Sequence, residues 1–488
     1  MKDDAAATVR NATLVVVQRG AQTVGGFCFA ALVPRLMGPE VYGRYALVVS
    51  VAFWFALVSG LGFANATTRY IPQFLARHDV AGLRRFVGNL LTLRVASALV
   101  AAAAYLILAL AWWGELDVVV LVLMTVAVFL QGVSGYLFSL FLGLNRAERW
   151  AAGDTVRRWL LLALVIPGFQ VGGLRGAAGA VAVSELLVLG LGIAWSQLPR
   201  APSDLKPDIG FLSPYLRFGL VFLVIQLLYV AFQGSGEALV RLVSGTYADV
   251  GYFSLSHGLY LVGAALLPQI VLAFAPLLSR LLHQGNAAKA TEWSSRLARI
   301  FAAGGVVAVF GALFLARPYV PLLVGDGYGP VAANLLPLSL AFLAHTLGSV
   351  TGLLALVHER SGASLAAAAT RLAVFWALGT PLTARWGSLG ACAGLLAAVS
   401  IHSVMLSWYT RDLSGPVVRA WALAVGPAAL VFPFWWLRTF SPRDIVLFGV
   451  LTLAYGAALV LLRVVSLSDL AAVARLLRRR IESPSPPA

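Results

Sequence analysis

Charge is the scarcest commodity in this sequence. Only 11% of its 488 residues are Asp, Glu, Lys or Arg, where an ordinary water-soluble chain carries about a quarter, so a soluble globular fold is excluded. Cysteine is nearly absent. Cys28 and Cys392 each lie inside an apolar run, too few for a disulfide framework and without histidines at zinc-ligating spacing; both read as small core residues. No G-x-x-x-x-G-K-[ST] loop is present, so ATP is not expected to drive the protein. No G-x-S-x-G turn or metal-ligand set appears, and no segment between apolar runs is long enough to hold an active site. An enzyme is therefore not expected, nor a metal or cofactor. Apolar residues make up the balance, at 60%, which makes this a polytopic membrane protein.

A spanning helix needs about 20 mainly apolar residues. On that basis fourteen spans are predicted, near 13–34, 45–66, 88–112, 117–143, 155–171, 176–197, 215–238, 250–276, 298–316, 332–356, 364–382, 388–409, 418–437 and 444–464. The first is too long for a signal-peptide core and no small-residue cleavage site follows it, so it is expected to remain as an anchor. With the N-terminus in the cytoplasm, 25 of the 36 Lys and Arg fall in inside segments, 8 in outside segments and 3 within spans, which places both termini in the cytoplasm. The net charge of +16 is then topology signal, and no nucleic-acid partner is needed.

The chain repeats itself. Arg35 to Leu47, RLMGPEVYGRYAL, returns from Arg241 as RLVSGTYADVGYFSL with two extra residues in the turn, so that Gly251-Tyr252 falls where Gly43-Arg44-Tyr45 fell. The basic loop Tyr70–Arg85 is echoed by Ser279–Arg299, and PGFQVGGLRG from Pro167 aligns without a gap on PLTARWGSLG from Pro381, with Arg157 and Arg371 each ten residues before the proline. Six spans separate the copies, an even number, so the halves run in the same direction through the membrane, as in other parallel-repeat transporters. The expected fold is all-α: an N-terminal six-helix lobe over 1–198, a cytoplasmic linker over 199–213, a second six-helix lobe over 214–410, two further helices over 411–465 and a basic tail over 466–488. From Ser468 that tail reads either as an interfacial helix on anionic lipid or as a solvated basic tail.

Residues Arg35–Tyr45, Leu61-Gly62 and Ala66-Thr67-Thr68-Arg69-Tyr70-Ile71-Pro72 together resemble the polysaccharide-transport branch (Wzx-type oligosaccharide flippases) of the multidrug/oligosaccharidyl-lipid/polysaccharide exporter superfamily. The resemblance implies two six-helix lobes around a central cavity, lined by the first and seventh spans. It also implies alternating access that carries an undecaprenyl-diphosphate-linked oligosaccharide from the cytoplasmic to the outer leaflet of the inner membrane. Membrane lipids, a polysaccharide polymerase and glycosyltransferases would be the working partners.

The candidate site residues fit that task. Sugar hydroxyls cost ~2–7 kcal/mol each to bring unpaired into hydrocarbon, so a head group needs a polar path. The first span carries Asn11, Gln18 and Gln22 on one face, and the seventh carries Gln226, Tyr229, Gln233 and Glu237 on one face. The bland alternative is interhelical hydrogen bonding. Arg19, Arg94 and Arg371 lie roughly 9–12 Å of helix rise in from the cytoplasmic ends of their spans; a guanidinium suits a diphosphate because its planar fork binds bidentately and stays charged, while at that depth it can also snorkel to the interface. Arg157 is assigned to the inner interface. Glu185, in mid-span, is either paired with an arginine, protonated, or part of ion coupling. Glu237 reaches water at the outer end of its span or takes part in coupling. His257, His345 and His402 read as isolated, satisfied core residues, with His257 the one to test for coupling. Multidrug export would want an acidic cavity, and intramembrane Arg equals or outnumbers acid here; a membrane glycosyltransferase or ligase would want acidic catalytic residues or a sizeable outer loop, and the outer segments are short. A passive scaffold would need no matched polar stripes.

Overall fold

The computed structural model describes residues 2–60, 62–196, 208–272 and 274–465. The predicted interfacial helix from Ser468 and most of the linker lie outside them. Regular structure among the described residues is entirely helical: α1 (Lys2–Val58), α2 (Phe63–Ala76), α3 (Val80–Trp112), α4 (Val118–Gly143), α5 (Ala147–Trp195), α6 (Ile209–Ser244), α7 (Tyr247–Leu272), α8 (Ala275–His283), α9 (Ala287–Phe314), α10 (Ala316–Val324), α11 (Gly329–Val357), α12 (Ser361–Tyr409), α13 (Arg411–Val425), α14 (Ala428–Val431) and α15 (Asp444–Leu461), with short 3-10 turns at Asp326–Tyr328 and Phe432–Leu437. Three of the helical runs are broken by a glycine into two crossing-length halves: α1 at Gly38, α5 at Gly173 and α12 at Gly387. Counting those halves separately, and taking α13 with its 3-10 extension, the described residues form fourteen helices of crossing length, in an all-helical polytopic fold.

The sequence repeat is repeated in three dimensions. α5 and α12 are both 49 residues long. Gly173 (φ 55°, ψ −137°) and Gly387 (φ 56°, ψ −134°), opposite each other in the Pro167/Pro381 alignment, take the same left-handed turn, a conformation that glycine adopts without a Cβ clash. Each turn folds its helix into a hairpin so tight that a Cβ at Gly176 would overlap the Gly168 carbonyl, and one at Gly390 the Leu382 carbonyl. The far ends of both hairpins are tied alike: Arg149 Nη1 donates to the Trp195 carbonyl and Arg360 Nη1 to the Tyr409 carbonyl, each at 2.7 Å, satisfying acceptors that a helix C-terminus leaves open.

By packing, the described residues fall into two compact units. One takes the residues up to Phe29 and Arg44–Ser235; the other takes Ala30–Gly43 and the residues from Gly236 onward. The first is built on Phe63, Ile71, Phe86, Leu90, Tyr136, Leu140 and Leu212. The start of α6 is fastened there: Tyr215 meets Phe86 edge-on at 4.9 Å, Asp208 pairs with Arg85, and Arg85 lies over the Phe211 ring at 4.6 Å. In the second unit one core gathers Phe274, Leu297, Val350, Leu354 and Val417. Another packs Leu451, Tyr455 and Leu459 of α15 against Val306 and Phe310 of α9, with Tyr455 Oη donating to the Ala424 carbonyl at 2.6 Å, so the two C-terminal crossings pack on the second repeat.

Candidate functional site

The two polar stripes run along α1 and α6; the α1 stripe and Gln226–Gln233 belong to the first unit, and Glu237 falls in the second. The backbone is helical throughout Gln18–Gln22 and Gln226–Gln233. The side chains of Gln18, Arg19, Gln226 and Tyr229 lie outside what the structure describes. Gln22 and Gln233 are half-buried, and both engage neighbours. Gly26, one turn beyond Gln22 on the same face, is covered by Arg158 of α5. A Cβ at Gly26 would stand 3.1 Å from Arg158 Nη1, and one at Gly25 3.4 Å from Arg158 Cδ. The small residues thus let α5 lay the Arg158 side chain against α1, at a point one turn from Gln22.

The other candidates of this unit are bound into the protein. α3 begins at Val80, a good two turns before the predicted span, so Arg94 sits near the middle of the helix rather than close to its end. Its Nε donates to the Gly132 carbonyl at 2.6 Å and its Nη2 to the Ala56 carbonyl at 3.4 Å, and only 5% of the residue is exposed; it joins α1, α3 and α4. Of the three options for Glu185, the structure realises pairing. Arg157 Nε stands 3.0 Å from its carboxylate, Ser134 Oγ donates to it at 3.3 Å, and Asp154 holds Arg157 Nη1 at 3.0 Å. Asp117, at the start of α4, accepts from the Val119 N–H and pairs with Arg175; the Arg175 bond, with the Val119 N–H after it, holds the carboxyl below its usual range.

In the second unit the two copies of the repeated turn meet. Glu237 does not reach water: it is 6% exposed, with Tyr42 among its neighbours. It is hydrogen-bonded to Ser254, which also bonds Tyr42, while Oε2 is buried without a partner. Tyr328 Oη donates to the Pro34 carbonyl at 2.9 Å and the Tyr328 ring stands edge-on to Tyr252. His257, one turn on from Ser254, is stacked between Phe253 (5.2 Å) and Tyr260 (5.9 Å). His345 and His402 are not isolated. They neighbour each other and share Arg371 as their charged neighbour; His345 bonds the Ala264 backbone and His402 the Ala367 backbone. Arg371 itself is 6% exposed.

A family model described as "Polysaccharide biosynthesis protein" matches residues 8–282, more than half of the chain. The chain belongs to that family. Among solved structures, an inward-facing multidrug resistance MATE family transporter of the MOP superfamily superposes with a TM-score of 0.66 at 16% identity, over 84% of this chain and 98% of its own. The lipid II flippase MurJ in an inward closed conformation gives 0.65 at 13% identity, over 92% and 98%. A MOP superfamily transporter from Pyrococcus furiosus, reported with a binding pocket of reversed polarity, gives 0.51 at 17% identity, over 84% and 96%. At these identities the likeness is one of fold, and the fold is that of the MOP superfamily. No curated protein matches the chain.

Arg158 was overlooked in the sequence because it sits beside Arg157 in a run that reads as inner-interface charge; the Gly25-Gly26 pair was the available signal, since two adjacent small residues mark where another helix can approach. Tyr42 and Tyr328 were overlooked because nothing local announces a contact made across nearly three hundred residues of chain.

Proposed function

We propose that the protein is a flippase that moves an undecaprenyl-diphosphate-linked oligosaccharide from the cytoplasmic to the outer leaflet of the inner membrane by alternating access, making and breaking no covalent bond. The observation that carries the reading is Arg158 lying against Gly25 and Gly26 of α1, with Gly26 one turn from Gln22. A guanidinium fork can take a diphosphate bidentately without losing its charge, and carboxamides can exchange hydrogen bonds with sugar hydroxyls as the head group passes, offsetting the loss of water. Arg19, Gln18, Gln226, Tyr229 and Gln233 extend the same path, and both termini face the cytoplasm. Membership of a polysaccharide biosynthesis family and the transporter fold support the assignment; a coupled proton or sodium ion would engage Glu237 or His257 at the joint between the repeated turns.

Depletion of the protein in its own cells tests the reading. A flippase predicts that lipid-linked oligosaccharide accumulates in a form that glycosidase added outside the membrane does not reach. If shorter sugar chains accumulate instead, with their exposure unchanged, a lipid-linked glycosyltransferase or polymerase replaces the flippase.

A further inference from the structure

The second unit contains a feature that head-group transport does not use. At the end of α14 the segment Phe432–Phe440 exposes a set of aromatic rings, with Trp436 70% exposed, in the pattern of side chains that sit at lipid headgroup height. Two guanidiniums converge there: Arg317, at the start of α10, stands 4.5 Å from the Phe440 ring centroid, and Arg438 stands 4.6 Å from it and 4.5 Å from that of Trp435. Neither forms an ion pair with a described residue. Burial, and after it the Arg317 charge, holds the Arg438 guanidinium below its usual range, with the Asp444 carboxylate acting the other way.

The scaffold enforces this arrangement. Asp444, 2% exposed, accepts from the Thr439 N–H (2.9 Å), the Thr439 hydroxyl (2.8 Å) and the Phe440 N–H (2.8 Å), so its charge is spent on the turn. That turn holds Phe440 at φ 56°, a left-handed conformation costly for an aromatic residue. Beside it runs an open apolar groove of about 510 Å³, lined by Tyr260, Gly263, Ala312, Tyr319, Leu323 and Ile445. Tyr319 Oη donates to the Pro442 carbonyl at 3.1 Å, which ties the groove to the turn that carries Arg438.

We propose that this is a binding site for one resident bilayer phospholipid, with its phosphate on Arg317 and Arg438 and an acyl chain in the groove. A preorganised pair of cations that forms no ion pair with a described residue suits a phosphate, and an apolar groove beside it suits the chain of the same molecule.

The full-length protein, stripped of lipid in detergent, is titrated with phosphatidylglycerol, diacylglycerol of the same chains, glycerol phosphate and undecaprenyl phosphate, and bound lipid is read by native mass spectrometry. Phosphatidylglycerol is expected to bind about tenfold or more weaker in the Arg317→Gln/Arg438→Gln variant, the scale of losing charge-assisted bonds, with diacylglycerol unaffected. Gly311→Leu, at a position whose nearest neighbour is 4.0 Å from a Cβ, fills the groove and is expected to weaken both lipids. Arg317→Gln alone leaves the Arg438 contacts in place and serves if the double variant does not fold. Unchanged phosphatidylglycerol binding in the arginine variants overturns the proposal. So does glycerol phosphate binding as tightly as the whole lipid, which would leave only a phosphate site, or undecaprenyl phosphate displacing phosphatidylglycerol at equal amounts, which would give the site to the carrier lipid.

Discussion

Gly43 and Gly251, which end the two copies of one repeated turn, meet backbone to backbone. A Cβ on Gly251 would overlap the Pro39 carbonyl and stand 3.3 Å from the Gly43 nitrogen; one on Gly43 would overlap the Tyr247 carbonyl and stand 2.9 Å from the Gly251 nitrogen. The obstructing atoms are backbone, which cannot turn aside as a side chain can. Gly251→Ala is therefore expected to cost about 1–3 kcal/mol, the range for overpacking a filled interior, and to lower the thermal midpoint in detergent. Gly258→Ala, on the same helix with open space around it, should leave the midpoint nearly unchanged. Equal midpoints for the two variants would contradict the close approach.

That joint also shows how much could be read from sequence. The repeat was visible as a string, and the alignment that set Pro167 on Pro381 placed Gly173 opposite Gly387, the pair that the structure finds in one conformation. The crossings were visible because hydropathy is a property of local windows. The start of α3 was not: Val80–Val87, with Arg84 and Arg85 inside it, is a helix too polar for any apolar window, and missing it moved Arg94 from mid-helix to near an end. Nor could spacing along the chain bring His345, His402 and Arg371 together, since α11 and both halves of α12 meet only through tertiary packing. Glu237 was expected at water because it lies near a helix end, and only the fold reveals it buried with Tyr42 and Ser254 as neighbours.

The pairing of Arg157 with Glu185 predicts an asymmetric pair of mutants. Arg157→Ala leaves a carboxylate whose side chain is 6% exposed without its cation, and breaking a buried pair in this way costs about 3–5 kcal/mol. Arg157→Ala/Glu185→Ala should cost clearly less than the sum of the two single changes. A double-mutant cycle on thermal or denaturant unfolding measures the coupling; additive losses would show that the pair does not act as a unit.

Arg94 should behave as a fastening between helices. Arg94→Ala removes charged donors from the Gly132 and Ala56 carbonyls, at about 1.5–3 kcal/mol for a bond to a charged group, so the yield of folded protein and its thermal midpoint are expected to fall. Transport per folded molecule should stay near wild type. A stable Arg94→Ala protein that transports poorly would return Arg94 to the substrate path.

Asp208 links the start of α6 to α3. Its carboxylate accepts from the Phe211 N–H at 2.9 Å and pairs with Arg85, while its N–H donates to Asn89 Oδ1. The Phe211 N–H, and after it Arg85, holds the carboxyl below its ordinary value of 3.8. A depressed carboxyl stabilises the fold above the unfolded-state value, and that contribution is lost as pH falls through the lower folded-state one. Wild type should be more stable than Asp208→Asn at pH 7, and the two should converge as pH drops below 3.8. A gap that persists there would assign the difference to packing.

The most direct test of the account is leaflet translocation of an undecaprenyl-diphosphate-linked oligosaccharide by purified protein in vesicles, with Arg158→Ala and Arg19→Ala compared with wild type at matched folded protein. Protein-dependent translocation that falls about tenfold or more in Arg158→Ala, the scale of one lost charge-assisted contact, is the predicted result, with Arg19→Ala reporting whether the path extends to that residue. Translocation that proceeds undiminished without Arg158 would contradict the assignment of the site. Sugar chains that lengthen or pass to a new acceptor while no lipid changes leaflet would contradict the flippase itself.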